Sequence, residues 1–585
     1  MAPLRGAPAP SSAAQISPPS APAHGSSPSG SSPSGSSRRT FLGQAAVGTG
    51  ALAMRFGRGR SRRPRVGPQP QSRSQPNILM IIVDQMRTPV WMPASVQQAA
   101  LLPNLEALRR RSVSFESHYV ASNDCSPSRS VLLTGLYTHQ TGVMLTGGSW
   151  LDPRFPTWGE LLRSVGYRTA YYGKWHINPN PMAPLSQYGF EGGTYPSPNG
   201  GPGQGTRVDP SIARQFEEWF AGSAGDAPWC ATVSFVNPHD IAWWWRYTSE
   251  IAAESSPPSR ASALPPNFET PQQLIEKGKP ALQRSLQDTA AQSFGPVAFE
   301  GAGALAEWTQ MMDTYLMLQS YVDVQVGRVL QTLASRPAVA RQTVVLFTAD
   351  HGEYAGSHGM RGKGASAYEE ALRVPFYLHD PRGIWSAQTQ LPRTQLTSSA
   401  DVVALMLTIA TGGSTWRQES RFAHLASRLD MAAIGADPRA AGRKWIVHAT
   451  DEDVTEFALE PHAAAAPRHV VALRTREGKI ALYSNWRPGT IEVEPAGQEV
   501  EVYDYGTQRG RLETQNEAGA TPLEDTLRGV LEGEAIPHEL RAPLPAHLRV
   551  AHEQGLADYQ VLERFQAEKL AEVHRGEREV QPEPL

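Results

Sequence analysis

Two stretches of the chain, Ile78–Val83 and Thr343–Phe347, are apolar at nearly every position. A strand with one wet face alternates apolar and polar residues, so an unbroken run predicts a strand covered on both faces. Arg168–Tyr172 and Ala231–Val236 read as further strands of this set. Between them the period changes to that of a helix. Pro103 opens one through Leu105, Leu108 and Arg111. Thr157–Val165 puts Leu161, Leu162 and Val165 on one face, and apolar residues recur at helical spacing from Trp308 to Leu333. Strands alternating with helices predict an α/β fold built on a large mixed, mainly parallel sheet flanked by helices. Near residue 400 the pattern changes again. Asp401–Thr411 is an apolar helix, followed by the shorter strand-like pieces Trp445–Ala449, Val470–Leu473, Ile480–Tyr483 and Val500–Tyr503. This divides the folded chain into a larger domain, 77–400, and a smaller domain, 401–520, with a charged, helix-prone tail at 521–585 to which no function is assigned.

Composition refines the picture at the N-terminal end. Residues 1–36 are almost all Ala, Pro, Ser and Gly and are expected to be disordered. At 37–54, Ser37-Arg38-Arg39-Thr40-Phe41-Leu42 precedes a weakly apolar run ending near Ala51-Leu52-Ala53, which resembles a twin-arginine export signal with its cleavage site. The expected location is periplasmic, cell-surface or secreted. The run is too short for a stable membrane span, and the Arg-rich stretch at 55–76 reads as a linker. A formal net charge of -2 argues against nucleic acid as a partner. Two cysteines, Cys125 and Cys230, exclude a disulfide framework. Cys230 lies within a predicted strand and reads as packing.

The candidate chemistry sits where the strands end. They run into Asp84-Gln85, Gly173-Lys174-Trp175-His176, Asn237-Pro238-His239-Asp240 and Asp350-His351-Gly352. In open α/β sheets ligands bind outside the carboxyl ends of the strands, so these clusters are expected to converge. Cys125-Ser126-Pro127-Ser128-Arg129 opens a helix, with Pro127 pre-set for the first turn and Arg129 one turn beyond Cys125. Alone, this segment reads as a buried helix start. Beside the strand ends it reads as a nucleophile next to a pocket for a small anion, helped by free amides at the helix N-terminus. Asp84 and Asp350, with an oxygen from position 125, would make a hard metal site, to which Gln85 and His351 add an oxygen and a nitrogen. Singly, each Asp reads as a turn cap. Arg129, Lys174, His176, His239 and Lys363 supply cations and proton-transfer groups for a tetrahedral anion. His139 and His358 are left as structural or pocket-lining.

These segments, with Thr134-Gly135, Tyr368-Glu369-Glu370, Arg373-Val374-Pro375 and Val502-Tyr503-Asp504, resemble the formylglycine-dependent sulfatases of the alkaline-phosphatase superfamily. The resemblance implies an alkaline-phosphatase-like catalytic domain and a smaller C-terminal domain built on an antiparallel sheet. It implies that a formylglycine-generating enzyme oxidises Cys125 to Cα-formylglycine, whose hydrate attacks sulfur while held on one divalent metal. Asp84, Gln85, position 125, Asp350 and His351 would bind that metal. His239, helped by Lys363, would protonate the departing alcohol or phenol. His176 would take the proton that releases sulfate, and Lys174 and Arg129 would stabilise the charged oxygens. The implied substrate is a small-molecule or glycan sulfate ester. Gln85 and His351 stand where many members have Asp and Asn, a pairing that resembles choline sulfatases and phosphonate monoester hydrolases. This keeps a phosphonate monoester or phosphodiester hydrolase as the alternative. The expected ion is Ca²⁺, with Mn²⁺ or Mg²⁺ as alternatives; one carboxylate fewer and one imidazole more moves the site towards Mn²⁺. Trp243-Trp244-Trp245, close to His239, reads as lid packing, or else as a cage for a quaternary ammonium or an aryl ring.

Overall fold

The computed structural model describes residues 75–178, 184–223, 228–247, 259–452, 462–463, 465–487 and 490–579, with side chains to residue 564. The disordered segment, the export signal and most of the basic linker read from the sequence lie outside these residues. In chain order the strands of the large sheet are β1 (Asn77–Asp84), β2 (Val113–Phe115), β3 (Arg168–Gly173), β4 (Glu191–Gly192), β5 (Trp229–Pro238), β6 (Thr343–Ala349) and β7 (Phe376–His379). Across the sheet they lie β2–β7–β6–β1–β5–β3–β4. All neighbours are parallel except β7, which runs against both β6 and β2.

The unbroken apolar run of β1 has a direct cause. Leu79, Ile81 and Val83 enter one core with Phe216 of helix 204–223 and with Val322, Val326 and Val329 of helix 301–334. Ile78, Met80 and Ile82 enter a second core on the other face, with Leu132 and Leu133 of helix 125–134 and Val402–Leu407 of helix 402–411. Each such side chain stabilises the fold by roughly 1.5–3 kcal/mol when fully buried. The helix that follows residue 400 therefore packs on the large sheet.

The C-terminal region forms a separate antiparallel sheet of β8 (Ile446–Asp451), β9 (His469–Arg474), β10 (Gly478–Trp486) and β11 (Val493–Asp504), in that order. Val447, Ala449, Val471 and Leu473 on one face pack against Leu527 and Leu531. Ile446, Val470 and Ala472 on the other face join the core that contains Leu79. The last helix, Ala546–Glu579, docks by its backbone: a Cβ on Gly555 would lie 2.4 Å from the Thr141 carbonyl oxygen. Tyr559 also donates a hydrogen bond to Asp451. Among the described residues, no helix is long and apolar enough to cross a membrane.

Candidate active site

Strands β6, β1, β5 and β3 are consecutive across the sheet, and their carboxyl ends supply Asp350 and His351, Asp84 and Gln85, His239, and Lys174 and His176. Residues more than two hundred positions apart thus meet because their strands are neighbours. Val83 pairs with Ala349, which sets Asp84 beside Asp350. Gln85 then leaves the strand in the left-handed region, at φ 67°, where a non-glycine residue is uncommon. In that conformation its N–H donates to Asp350 Oδ1 at 3.0 Å. His176 is also left-handed, at φ 58°. Its carbonyl oxygen accepts from Ser126 Oγ at 2.6 Å, so it is tied to the nucleophile segment through its backbone.

Helix 125–134 begins at Cys125, with Asp124 as its N-cap, and ends on Gly135 in the left-handed conformation that favours glycine. Every residue of it is buried. The free amides expected at its start are not free. Cys125 N donates to Asp124 Oδ1 at 3.0 Å, and Ser126 N donates to Thr146 Oγ1 at 3.0 Å. The positive field at this site comes chiefly from side chains.

Four potential ligand atoms, one each from Asp84, Cys125, Asp350 and His351, lie within 4.8 Å of one another. Cys125 Sγ is 3.1 Å from His351 Nε2, 3.6 Å from Lys174 Nζ and 4.0 Å from Asp84 Oδ1. Lys174 Nζ is 2.7 Å from Asp84 Oδ2. Arg129 Nη2 lies 2.8 Å from both Asp84 Oδ2 and Asp350 Oδ2, while Nη1 donates to Lys174 O and Ser234 Oγ. The one-turn spacing from Cys125 to Arg129 therefore aims the guanidinium at the two carboxylates. Burial alone would raise the Asp84 pKa, yet Lys174, His239, Arg129 and His351 hold it well below the ordinary carboxylate value. Burial would likewise lower the Arg129 pKa, and Asp350 with Asp84 raises it instead. Two buried carboxylates and an imidazole nitrogen, with ligand atoms within 4.8 Å of one another, form a donor set that suits a divalent ion.

Lys363 is buried, and its Nζ lies 3.1 Å from His239 Nε2 and 3.2 Å from Gln85 Oε1. One residue acts here that the sequence reading passed over. The carboxylate of Glu353 accepts from Gln85 Nε2, and also from Gly362 N at 2.7 Å and Ala355 N at 3.0 Å. By holding the amide nitrogen it turns the Gln85 oxygen towards the site, and by holding Gly362 it anchors the loop that carries Lys363. Its only sequence signal is its place three residues after Asp350.

His358, Glu370 and Glu513 form a second group of potential ligands, but cations already compensate it. His358 Nδ1 lies 2.6 Å from Glu269, Lys479 pairs with Glu513 at 2.5 Å, and Arg87 lies 3.9 Å from Glu370. His358 stacks on Tyr368 and has its pKa raised against burial by hydrogen bonds to Glu269 and Glu370, a structural role. His139 packs against His469 and Trp486. Cys230 is buried in β5. Trp243 and Trp244 are buried, whereas Trp245 is 39% exposed.

Carboxylates, an imidazole and cations thus gather at the carboxyl ends of adjacent strands of a doubly covered α/β sheet, the arrangement that the resemblance to the alkaline-phosphatase superfamily implies. The Sulfatase family model matches residues 76–412, and the chain belongs to that family. It is 28% identical over 352 residues to a choline-sulfatase of Rhizobium meliloti (strain 1021), covering 52% of this chain and 63% of that protein. It is 27% identical over 338 residues to a Δ4,5-hexuronate-2-O-sulfatase of Bacteroides thetaiotaomicron, covering 54% of this chain and 64% of the relative. The chain thus spans under two thirds of the length of these two relatives. Among solved structures it resembles the phosphonate monoester hydrolase of Silicibacter pomeroyi, with TM-score 0.56 and 20% identity over 80% of this chain and 96% of that one. A 2-O GAG sulfatase aligns with TM-score 0.58 and 21% identity over 80% of this chain. At such identities the likeness shows the fold.

Proposed function

We propose that the protein hydrolyses a sulfate ester to an alcohol or phenol and inorganic sulfate. The observation that carries this reading is the setting of Cys125: a buried side chain at a helix start, within 3.1–4.0 Å of His351, Lys174 and Asp84. Oxidation of Cys125 to formylglycine would supply, as the hydrate, an oxygen nucleophile that leaves an aldehyde when sulfate departs. A divalent ion held by Asp84, Gln85, Asp350 and His351 would polarise oxygen and offset the charge of the sulfate.

The other roles belong to this chain's side chains. Lys174 faces position 125 and offers a fixed cation to negative charge developing there. Arg129, clamped between the carboxylates, holds both in place and helps to keep Asp84 ionised. Lys363 Nζ lies 3.1 Å from His239 Nε2, and that pair is placed to protonate the leaving oxygen. His176 would accept the proton that releases sulfate. The relatives' names point to glycan and small-molecule sulfates. A formylglycine-generating enzyme would act during maturation, and the export signal would carry the product out of the cytoplasm. Gln85 with His351 favours a second reading, hydrolysis of phosphonate monoesters or phosphodiesters.

Mass analysis of the tryptic peptide 112–129, from protein made in its native host, should show the sulfur of Cys125 replaced by an aldehyde oxygen. The same preparation should turn over 4-nitrophenyl sulfate faster than a phenyl phosphonate monoester. An unmodified thiol in fully active protein would sink the mechanism, and the opposite order of rates would favour the second reading. Export should fail when Arg38 and Arg39 are both replaced by lysine; unchanged secretion would refute the twin-arginine route.

A further inference from the structure

We propose that Gly200 and Trp243 are positioning residues that fix the His239 ring for proton transfer. This rests on the role given to His239 above. The loop before helix 204–223 lies directly on the imidazole. A Cβ built on Gly200 would sit 2.5 Å from His239 Cε1, 2.7 Å from Nδ1 and 3.1 Å from Nε2. Real Cβ atoms essentially never come so close, so a side chain here would displace the ring; the Gly200 backbone occupies the space against one of its faces. Its φ of +94° is a second reason for glycine at this position.

Three ties hold that backbone in place. The Gln204 side-chain oxygen gathers the N–H groups of Asn199, Gly200 and Gly201 at 3.0, 2.7 and 3.2 Å. Asp240, the residue after His239, accepts from Gly205 N and Thr206 N at 2.9 Å each. Trp243, four residues beyond His239, donates from its indole Nε1 to the Gly200 carbonyl at 2.6 Å. The segment that carries His239 thus holds the loop that walls it. Lys363 Nζ lies 3.1 Å from Nε2. A ring bounded by a backbone wall and by its proton partner keeps Nε2 directed at the site. This gives Trp243 a task distinct from substrate caging: its polar edge faces the loop.

Proton donation matters most when the leaving group is a weak acid. The test therefore compares phenyl sulfate with 4-nitrophenyl sulfate, whose phenol is the stronger acid, in the metal-loaded protein. Gly200→Ala should lower kcat on phenyl sulfate by on the order of 10²-fold and on the nitrophenyl ester by clearly less. In a His239→Ala background, where the ring is gone, the same substitution should cost little more. Trp243→Phe keeps an aromatic ring but removes the indole N–H donor. It should show the same leaving-group selectivity at smaller size, and it carries the test if Gly200→Ala does not fold. Equal losses on both esters, or losses that add to those of His239→Ala, would overturn the positioning role. A wild-type protein inert towards both esters would overturn the sulfatase reading and this inference with it.

Discussion

Cys125→Ala should abolish turnover of sulfate esters, by at least about four orders of magnitude, in a protein that still folds. The size follows from removing the atom to which sulfur would transfer, since no neighbouring side chain can replace it. Lys174 is committed to its pair with Asp84. Ser126 spends its hydroxyl on the His176 carbonyl. Stability should change little, because alanine is a strong helix former at the first position of helix 125–134, and Asp84 keeps both Lys174 and Arg129. Steady-state rates and a thermal melt on one preparation settle the point. Near wild-type rates would remove position 125 from the reaction.

Arg129→Ala should do the reverse and strike the fold. In chelated protein it leaves Asp84 and Asp350 buried with Lys174 as the remaining close cation on Asp84. Breaking a buried ion pair by removing one partner costs about 3–5 kcal/mol, read as a lowered denaturation midpoint. A divalent ion would restore the lost positive charge, so its addition should raise the midpoint more in the variant than in the wild type. The acid limb should shift as well. Asp84 has a depressed pKa in the folded state, so it contributes stability above the unfolded carboxylate value, and that stability is lost as pH falls through the folded value. Without Arg129 the depression shrinks, and acid unfolding should begin at a higher pH. An unchanged midpoint, with or without metal, would show that Arg129 does not hold the two carboxylates.

Those two side chains also show what the sequence could convey. The buried strands β1 and β6 were legible because covering a strand on both faces forces an apolar residue at every position. Helix 204–223 was not read: Pro210 lies inside it, and its apolar side chains Ile212, Phe216, Trp219 and Phe220 are interleaved with charges. Strand β7, the antiparallel one, has only four residues, too few for a period to emerge. For the site, residue types at strand ends placed Asp84, Lys174, His239 and Asp350 in one region, because sheet geometry sends all parallel strands to the same edge. What each group touches was a separate matter. Arg129 was expected to face charged oxygens, and the ones it meets in this structure are the carboxylates of Asp84 and Asp350. The helix amides were expected to face an anion, but Thr146, twenty residues on, takes that of Ser126. Glu353 went unread because a loop carboxylate has no pattern to betray it. Its importance lies in the three donors that converge on it.

The burial of helix 125–134 sets an order of events. Cys125 has no exposed surface, and Val131, Leu132 and Leu133 behind it are locked into the cores. A modifying enzyme must hold the cysteine in its own cleft, so the oxidation proposed for position 125 belongs to the chain before it folds. Synthesis then becomes a race between oxidation and collapse. A host that oxidises slowly would accumulate molecules with the same sheet and the same ring of charges but a thiol at the centre, correctly folded and permanently idle. The active fraction of a preparation would report the outcome of that race, and no later treatment of the folded protein would change it.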